Sequence, residues 1–295
     1  MVLFGFGVDS TDAAGMTRAV LEADQLGLDL FSMSDHPYLA NYLDAYASLG
    51  FLLGRTSHIS GFVNVTNLPT RPPALLGRML TSLSLLSGGR VAAGMGAGGR
   101  WERIADLGVP RLSPAAAVEA FEEGMTLIRM LSSPGPAVSF AGKYYSVSDI
   151  EPVPVASLPL WTGSVGPRSL AATGRVADGW IPGHAADWLS SRYRESRPLI
   201  DEAASAAGRS VADVRTIFNL PGRMTASDLR SPRDQEGRWV GGSARQWVEE
   251  LTSAVLEFGA GGFILFAGTY GQADASGLRV WAEEIAPGVR SAVAV

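Results

Sequence analysis

A carboxylate and an imidazole stand side by side in Ser34-Asp35-His36-Pro37. Histidine is the side chain best suited to proton transfer near neutral pH, and a neighbouring carboxylate can hold its tautomer or raise its basicity. The structural alternative has Asp35 capping the next helix and His36 packed in the loop. His58 precedes a strand-like run and reads as structural. His184 follows one, in Trp180-Ile-Pro-Gly-His184, where a helix start and a catalytic role stand equal. The chain has no cysteine, and its three histidines show no H-x-x-x-H spacing. Disulfides, a thiol nucleophile and a metal site are therefore not expected.

Two glycine-bearing stretches have the chemistry to hold a phosphate or a flat ring. Gly94-Met-Gly-Ala-Gly-Gly99 satisfies G-x-G-x-x-G, with Glu119 downstream at about twenty residues. That is the case for an NAD(P)-dependent Rossmann dehydrogenase, although three strand–helix units precede the motif, where the fingerprint normally closes the first. In Trp161-Thr-Gly-Ser-Val-Gly-Pro-Arg168, the small residues Gly163, Ser164, Val165 and Gly166 lead to Pro167 at a first helical position. Free N–H groups and the helix dipole attract an anion there, and Arg168 or Arg175 can add a charge.

These residues must be positioned by elements, and the chain alternates short apolar runs with segments of helical period. Strands are expected at 3–8, 29–32, 59–65, 91–95, 158–162, 179–182, 214–220 and 262–266. Helices are expected at 12–26, 43–53, 73–86, 114–131, 167–176, 185–207, 243–258 and 273–285. Eight βα units predict an α/β fold, a single (β/α)₈ TIM barrel over residues 1–295, whose active site lies beyond the carboxyl ends of the strands. The stretch Ser133–Ser157 reads as a hairpin inserted between units four and five and turning at Ala141-Gly142. Pro221–Gly237 reads as a long mobile loop or lid.

Composition bounds the partners. The formal charge is −5, apolar residues make up 46% and charged residues 18%. Nothing here suggests nucleic acid or an anionic membrane as partner; a small-molecule substrate is expected. The chain opens into an apolar strand-like run with no basic segment before it, and no apolar stretch reaches membrane-spanning length, so a cytoplasmic protein is expected.

The order of these features resembles the luciferase-like monooxygenase superfamily, and within it the branch that uses the deazaflavin coenzyme F420. The resemblance is carried by Ser34-Asp35-His36-Pro37, Asn64-Val-Thr-Asn-Leu-Pro-Thr-Arg-Pro72, Arg90-Val-Ala-Ala-Gly-Met-Gly96, Gly142-Lys-Tyr-Tyr145 and Leu158-Pro-Leu-Trp-Thr-Gly-Ser-Val-Gly166, and by Ala177-Asp-Gly-Trp180 with Gly259-Ala-Gly-Gly-Phe-Ile264. It implies an oxidoreductase that transfers a hydride between F420 and a small organic substrate, with His36 handling the proton and Asp35 supporting it. It also implies a coenzyme held by Asp35, by Asn64, Val65, Thr66 and Asn67 with a non-proline cis peptide at Asn64-Val65, by Ala97, Gly98 and Gly99, and by Gly163 to Arg168. A homodimer through helices of the first barrel half is implied too. Sugar-phosphate dehydrogenases of the branch carry a glutamate after the strand-four glycines, where this sequence has Gly99, so only the general activity carries over. The alternatives are an FMN-dependent monooxygenase on the same barrel, the Rossmann dehydrogenase, and a non-catalytic coenzyme-binding protein.

Overall fold

Successive residues of a strand face opposite sides of a sheet, and here the two sides sort into two cores. Leu30, Phe62, Ala92, Trp161, Ile181, Ile217 and Ile264 form one buried cluster, with Leu3 packed against it. Their neighbours Phe4, Phe31, Val63, Val91, Phe218 and Phe263 belong to a larger cluster that includes helical residues. The computed structural model describes residues 1–183, 186–266 and 275–294. Its strands are β1 (Leu3–Gly7), β2 (Leu30–Met33), β3 (Ser60–Val63), β4 (Val91–Gly96), β5 (Leu160–Thr162), β6 (Gly179–Trp180), β7 (Arg215–Pro221) and β8 (Ala260–Phe266). They pair in chain order, all parallel, and β1 pairs with β8 to close the ring. The smaller cluster therefore fills the barrel, one side chain from each strand or its end, and the larger one lies between barrel and helices.

The helices are α1 (Ala13–Gln25), α2 (Ala45–Leu53), α3 (Pro73–Ser87), α4 (Trp101–Ala105), α5 (Pro114–Ser132), α6 (Pro167–Val176), α7 (Ser191–Ala206), α8 (Ala244–Phe258), α9 (Ala275–Val280) and α10 (Ala286–Val293). Several starts are fixed by side-chain caps, such as Asp12 accepting from the Gly15 N–H and Asp44 from the Tyr46 and Ala47 N–H groups. Among the described residues no helix is long and apolar enough to cross a membrane.

Several boundaries differ from those expected. The helix expected over 185–207 is α7, which begins at Ser191, because Trp188 is buried in the core ahead of it and Ser190 supplies the cap, accepting from the Tyr193 N–H. The last helical run does not stop at Ile285. A wide turn at Trp281–Ile285 leads into α10, whose first turn takes Pro287 where its missing N–H is not needed. The start of that run, at residue 273, lies outside the described residues. The short helix α4 was not anticipated. The inserted hairpin is present, Val138–Ala141 antiparallel to Ser146–Ile150, and turns over Gly142 to Tyr145, just beyond the expected point.

The stretch Pro221–Gly237 is tied down along its length, contrary to the expected mobile loop. Arg223 and Met224 pair with Gly241 and Gly242, and the Leu229 N–H donates to Gln246. Arg233 bridges Asp187 and Glu250, and Trp239 packs edge-on against Trp247. The Rossmann alternative falls with the topology. Gly94 to Gly99 closes the fourth strand of a ring, and Gly94 is needed because a Cβ there would lie 2.0 Å from the Val63 carbonyl oxygen.

Candidate active site

All the parallel strands end on one side of the barrel, so the segments after β2, β3, β4 and β5 converge. They enclose a cavity of about 530 Å³ whose wall includes Ser34, Asp35, His36, Asn64, Val65, Thr66, Asn67, Ala97, Gly98, Gly99, Gly163, Ser164 and Val165. Of the residues expected to hold the coenzyme, Gly166, Pro167 and Arg168 are outside this wall. A larger hollow of about 960 Å³ lies under the inserted hairpin, but its Arg129 pairs with Asp178 and its Arg175 with Glu122. Arg175 is thus spent in a bidentate ion pair at the far end of α6 and contributes no charge to the loop after β5, against one expectation. Arg168 points away as well, exposed and only 3.4 Å from Glu119.

After β2 the two candidate residues separate in role. The Asp35 carboxylate, 1% exposed, accepts from the Asn67 N–H at 2.9 Å and from Arg71 through Nε at 3.1 Å and Nη2 at 2.9 Å. A two-pronged guanidinium contact of this kind fixes orientation as well as charge. Burial opposes the Arg71 charge, yet the hydrogen bonds and charges of Asp35 and Asp44 hold its pKa above the ordinary arginine value. Arg71 also lies over the Tyr46 ring, whose hydroxyl meets Thr66 Oγ1 at 2.7 Å. Asp35 therefore ties the segment after β3 to the end of β2.

His36 is half-buried, with Nδ1 2.9 Å from the Tyr38 hydroxyl and its ring edge-on to Tyr42. Its Nε2 has no partner among the described residues. Burial, and then the charge of Arg100, push the imidazole pKa below the usual 6.5, while Asp35 pulls the other way. Neutral imidazole is thus the resting form at neutral pH. Tyr38 and Arg100 both belong to the cavity wall. Sequence reasoning passed over both, though each lies beside a motif it had marked.

Strand β3 pauses at a cis peptide between Asn64 and Val65 and then resumes pairing with β4 at Thr66 and Asn67. The Asn64 amide reaches across the barrel to Asn219 Oδ1 at 2.9 Å. A Cβ on Gly96 or Gly163 would lie 2.8 or 3.1 Å from Val65 Cγ2, so these two glycines make room for Val65 to project into the mouth. Beside it, Asn67 Oδ1 is buried with no hydrogen-bond partner. A buried orphan acceptor in a cavity wall asks for a donor from a ligand.

The loop after β5 is braced from behind. Trp180 Nε1 donates to the Ser164 carbonyl oxygen at 2.8 Å, and Thr173 links the hydroxyls of Ser164 and Thr162. The N–H groups of Ser164, Val165, Arg168 and Ser169 have no partner among the described residues, whereas that of Gly166 donates to Ser169 Oγ. Three of the four, Ser164, Val165 and Ser169, belong to the cavity wall at a helix start, the arrangement that receives a phosphate. His184 lies outside the described residues.

The comparisons with known proteins can be set against this geometry. Residues 2–228 match the family model described as luciferase-like monooxygenase. An F420-dependent glucose-6-phosphate dehydrogenase of Microbacterium testaceum is 29% identical over 207 residues, covering 67% of this chain and 60% of that protein. A phthiodiolone/phenolphthiodiolone dimycocerosates ketoreductase of Mycobacterium tuberculosis is 35% identical over 176 residues, 58% of this chain and 44% of that protein. The match thus spans less than two thirds of either curated relative. Among solved structures, an F420-dependent secondary alcohol dehydrogenase in complex with an F420-acetone adduct superimposes with TM-score 0.80 at 19% identity, over 98% of this chain and 99% of that one. An EDTA monooxygenase from Chelativorans gives TM-score 0.80 at 15% identity, over 98% and 93%. At these identities the structural matches show the fold.

Proposed function

The chain belongs to the luciferase-like monooxygenase family, and from that premise we propose that it is a coenzyme F420-dependent oxidoreductase acting between a small alcohol and the corresponding ketone, with His36 handling the proton. The observation that carries the reading is that His36 shares one cavity wall with the projecting Val65 and the orphan Asn67 acceptor, and burial favours its neutral form. The residues suit a flat ring with a phosphate tail. Val65 would support the ring, Asn67 Oδ1 would accept a hydrogen bond from the coenzyme, and the free N–H groups at the start of α6 would receive the phosphate. Bound there, the deazaflavin supplies two-electron hydride chemistry.

His36 Nε2 serves the substrate oxygen. In alcohol oxidation Nε2 of the neutral imidazole would take the hydroxyl proton, and in ketone reduction the protonated imidazole would return it to the carbonyl oxygen, the hydride being exchanged with the coenzyme. The Tyr38 hydroxyl on Nδ1 fixes the ring orientation. Asp35 acts through the Arg71 and Asn67 contacts and so positions the wall. The curated relatives named as an F420-dependent dehydrogenase and a ketoreductase support this direction of chemistry, while Gly99 stands where sugar-phosphate enzymes carry a glutamate. The experiment is to mix the reduced coenzyme with a ketone anaerobically and follow its reoxidation in wild type and His36→Ala. Loss of a general acid or base lowers the rate by about 10²–10⁴-fold while coenzyme affinity stays. Equal rates in the two proteins would move the proton role elsewhere. Coenzyme binding without turnover on any ketone or alcohol would favour a carrier protein, and reaction only with FMN and oxygen would favour a monooxygenase.

A further inference from the structure

A second hollow, of about 220 Å³, adjoins the coenzyme cavity and shares only Ala97 with it. Leu68 and Phe121 form its inner side, and Trp101, Leu112, Tyr144 and Tyr145 its outer side. None of the residues lining it is charged.

We infer that this chamber receives an apolar chain or ring of the substrate, so that the preferred substrates are secondary alcohols and ketones bearing a hydrocarbon substituent. The inference rests on the oxidoreductase reading, since it takes the reacting carbon to be beside Ala97. Three observations carry it. The hollow is partly open and lined mainly by apolar side chains, so a hydrocarbon group entering it removes apolar surface from water. Next, Trp101, Leu112, Tyr144 and Tyr145 all come from the long excursion between β4 and β5, from α4, the following loop and the inserted hairpin. None of these is needed to close the barrel, and segments grafted on a rigid scaffold are where specificity resides. The hairpin is fastened by its turn, where Glu123 accepts the N–H groups of Lys143 and Tyr144, and Tyr144 Oη donates to Glu119. Finally, the absence of a lining cation makes the chamber unsuitable for a phosphate or a carboxylate tail, which leaves the apolar part of a substrate as its occupant.

The partition between the two spaces is the segment from Ala97 to Arg100. Gly98 there has φ +88°, and a Cβ on it would lie 2.9 Å from Pro69 Cγ. Ala97 lines both spaces, so its methyl group lies at their border. A substituent running past Ala97 enters the chamber while its oxygen stays at His36.

The test is a chain-length series. With the coenzyme, kcat/KM for 2-alkanols should rise at least about 10-fold from propan-2-ol to octan-2-ol. Ala120→Leu, which fills the chamber from α5, should abolish the rise, leaving propan-2-ol turnover and coenzyme affinity unchanged. Leu112→Ala, on a half-buried loop position, should extend the rise to longer chains. A flat series in wild type, or a loss in Ala120→Leu that is equal for short and long alcohols, would overturn the inference. Saturation-transfer NMR with octan-2-one and no coenzyme separates the two readings. Binding that Ala120→Leu removes, in a protein that oxidises no alcohol, keeps the chamber and removes the oxidoreductase. Turnover with a flat series and no octan-2-one contact removes the chamber alone.

Discussion

Burial and the Arg100 guanidinium both push the His36 imidazole toward its neutral form, and that direction sets a pH profile. Alcohol oxidation needs an acceptor for the hydroxyl proton, so it should stand at its plateau at pH 7 and fall only as pH drops below the ordinary histidine value of about 6.5. Ketone reduction draws on the protonated form and should rise over the same interval. Profiles of kcat/KM in both directions check this, and His36→Asn should lose both limbs; a limb that survives in the variant would belong to another group. Asp35 gives a different kind of prediction. Removing one member of a buried, hydrogen-bonded ion pair typically costs about 3–5 kcal/mol, and Asp35→Ala leaves Arg71 with only the half-exposed Asp44. Urea unfolding should show a loss of that order, whereas a cost near the about 0–1 kcal/mol of a surface pair would mean that Asp35 does not hold the wall. At this scale the sequence showed which residues matter more readily than what they touch. The acid–imidazole pair was visible as neighbours, but the partner of Asp35 lies 36 positions away, at an arginine that reads locally as the opening of α3. Asn64 and Asn219 are 155 positions apart, and nothing local announces that they meet.

At the loop between β5 and α6, where we propose that the coenzyme phosphate sits, fold and function can be separated. A Cβ added at Gly166 meets nothing nearer than Ser169 Oγ at 3.8 Å, whereas one at Gly163 meets Val65 Cγ2 at 3.1 Å and Cγ1 at 3.3 Å. Gly166→Leu should therefore leave the melting temperature unchanged and weaken coenzyme binding, by crowding an anion at the start of α6. Gly163→Ala should disturb both, because Val65 must shift. Thermal melts paired with coenzyme titrations check the contrast, and normal binding by Gly166→Leu would remove the phosphate assignment. The elements themselves were legible because hydrophobic period changes between strand and helix, and because caps such as Asp12 and Ser243 are local signals. The excursion between β4 and β5 was less so. Its short helix α4 has too few residues for a period to register, and its hairpin is held by Glu123 and Glu119 from a different element. Pro221–Gly237 looked loose because it is polar and lacks a period, yet Arg233 anchors it through ion pairs with residues 46 and 17 positions away.

For the molecule as a whole, α2 and α3 leave Phe51, Leu75, Leu85 and Leu86 exposed at 53%, 70%, 62% and 86%. These are helices of the first barrel half, and we propose that apolar side chains this open form a surface through which two copies associate. The chain should form a homodimer through them at micromolar concentration, and Leu75→Arg combined with Leu86→Arg should give a monomer by light scattering; a wild-type monomer would dismiss the dimer. The closed ring was foreseeable from eight alternations of strand and helix, since length and order suffice to favour closure over an open sheet. What the ring encloses was foreseeable in part, because residues at strand ends must converge, while the side chamber depends on packing between segments that no period predicts. We propose that the mouth of this barrel holds a deazaflavin beside His36. The most direct test is a parallel fluorescence titration of the purified protein with F420, FMN and NADPH. Saturable F420 binding, weakened by Gly166→Leu and kept in His36→Ala, is the predicted result; tight FMN binding with no response to F420 would contradict it.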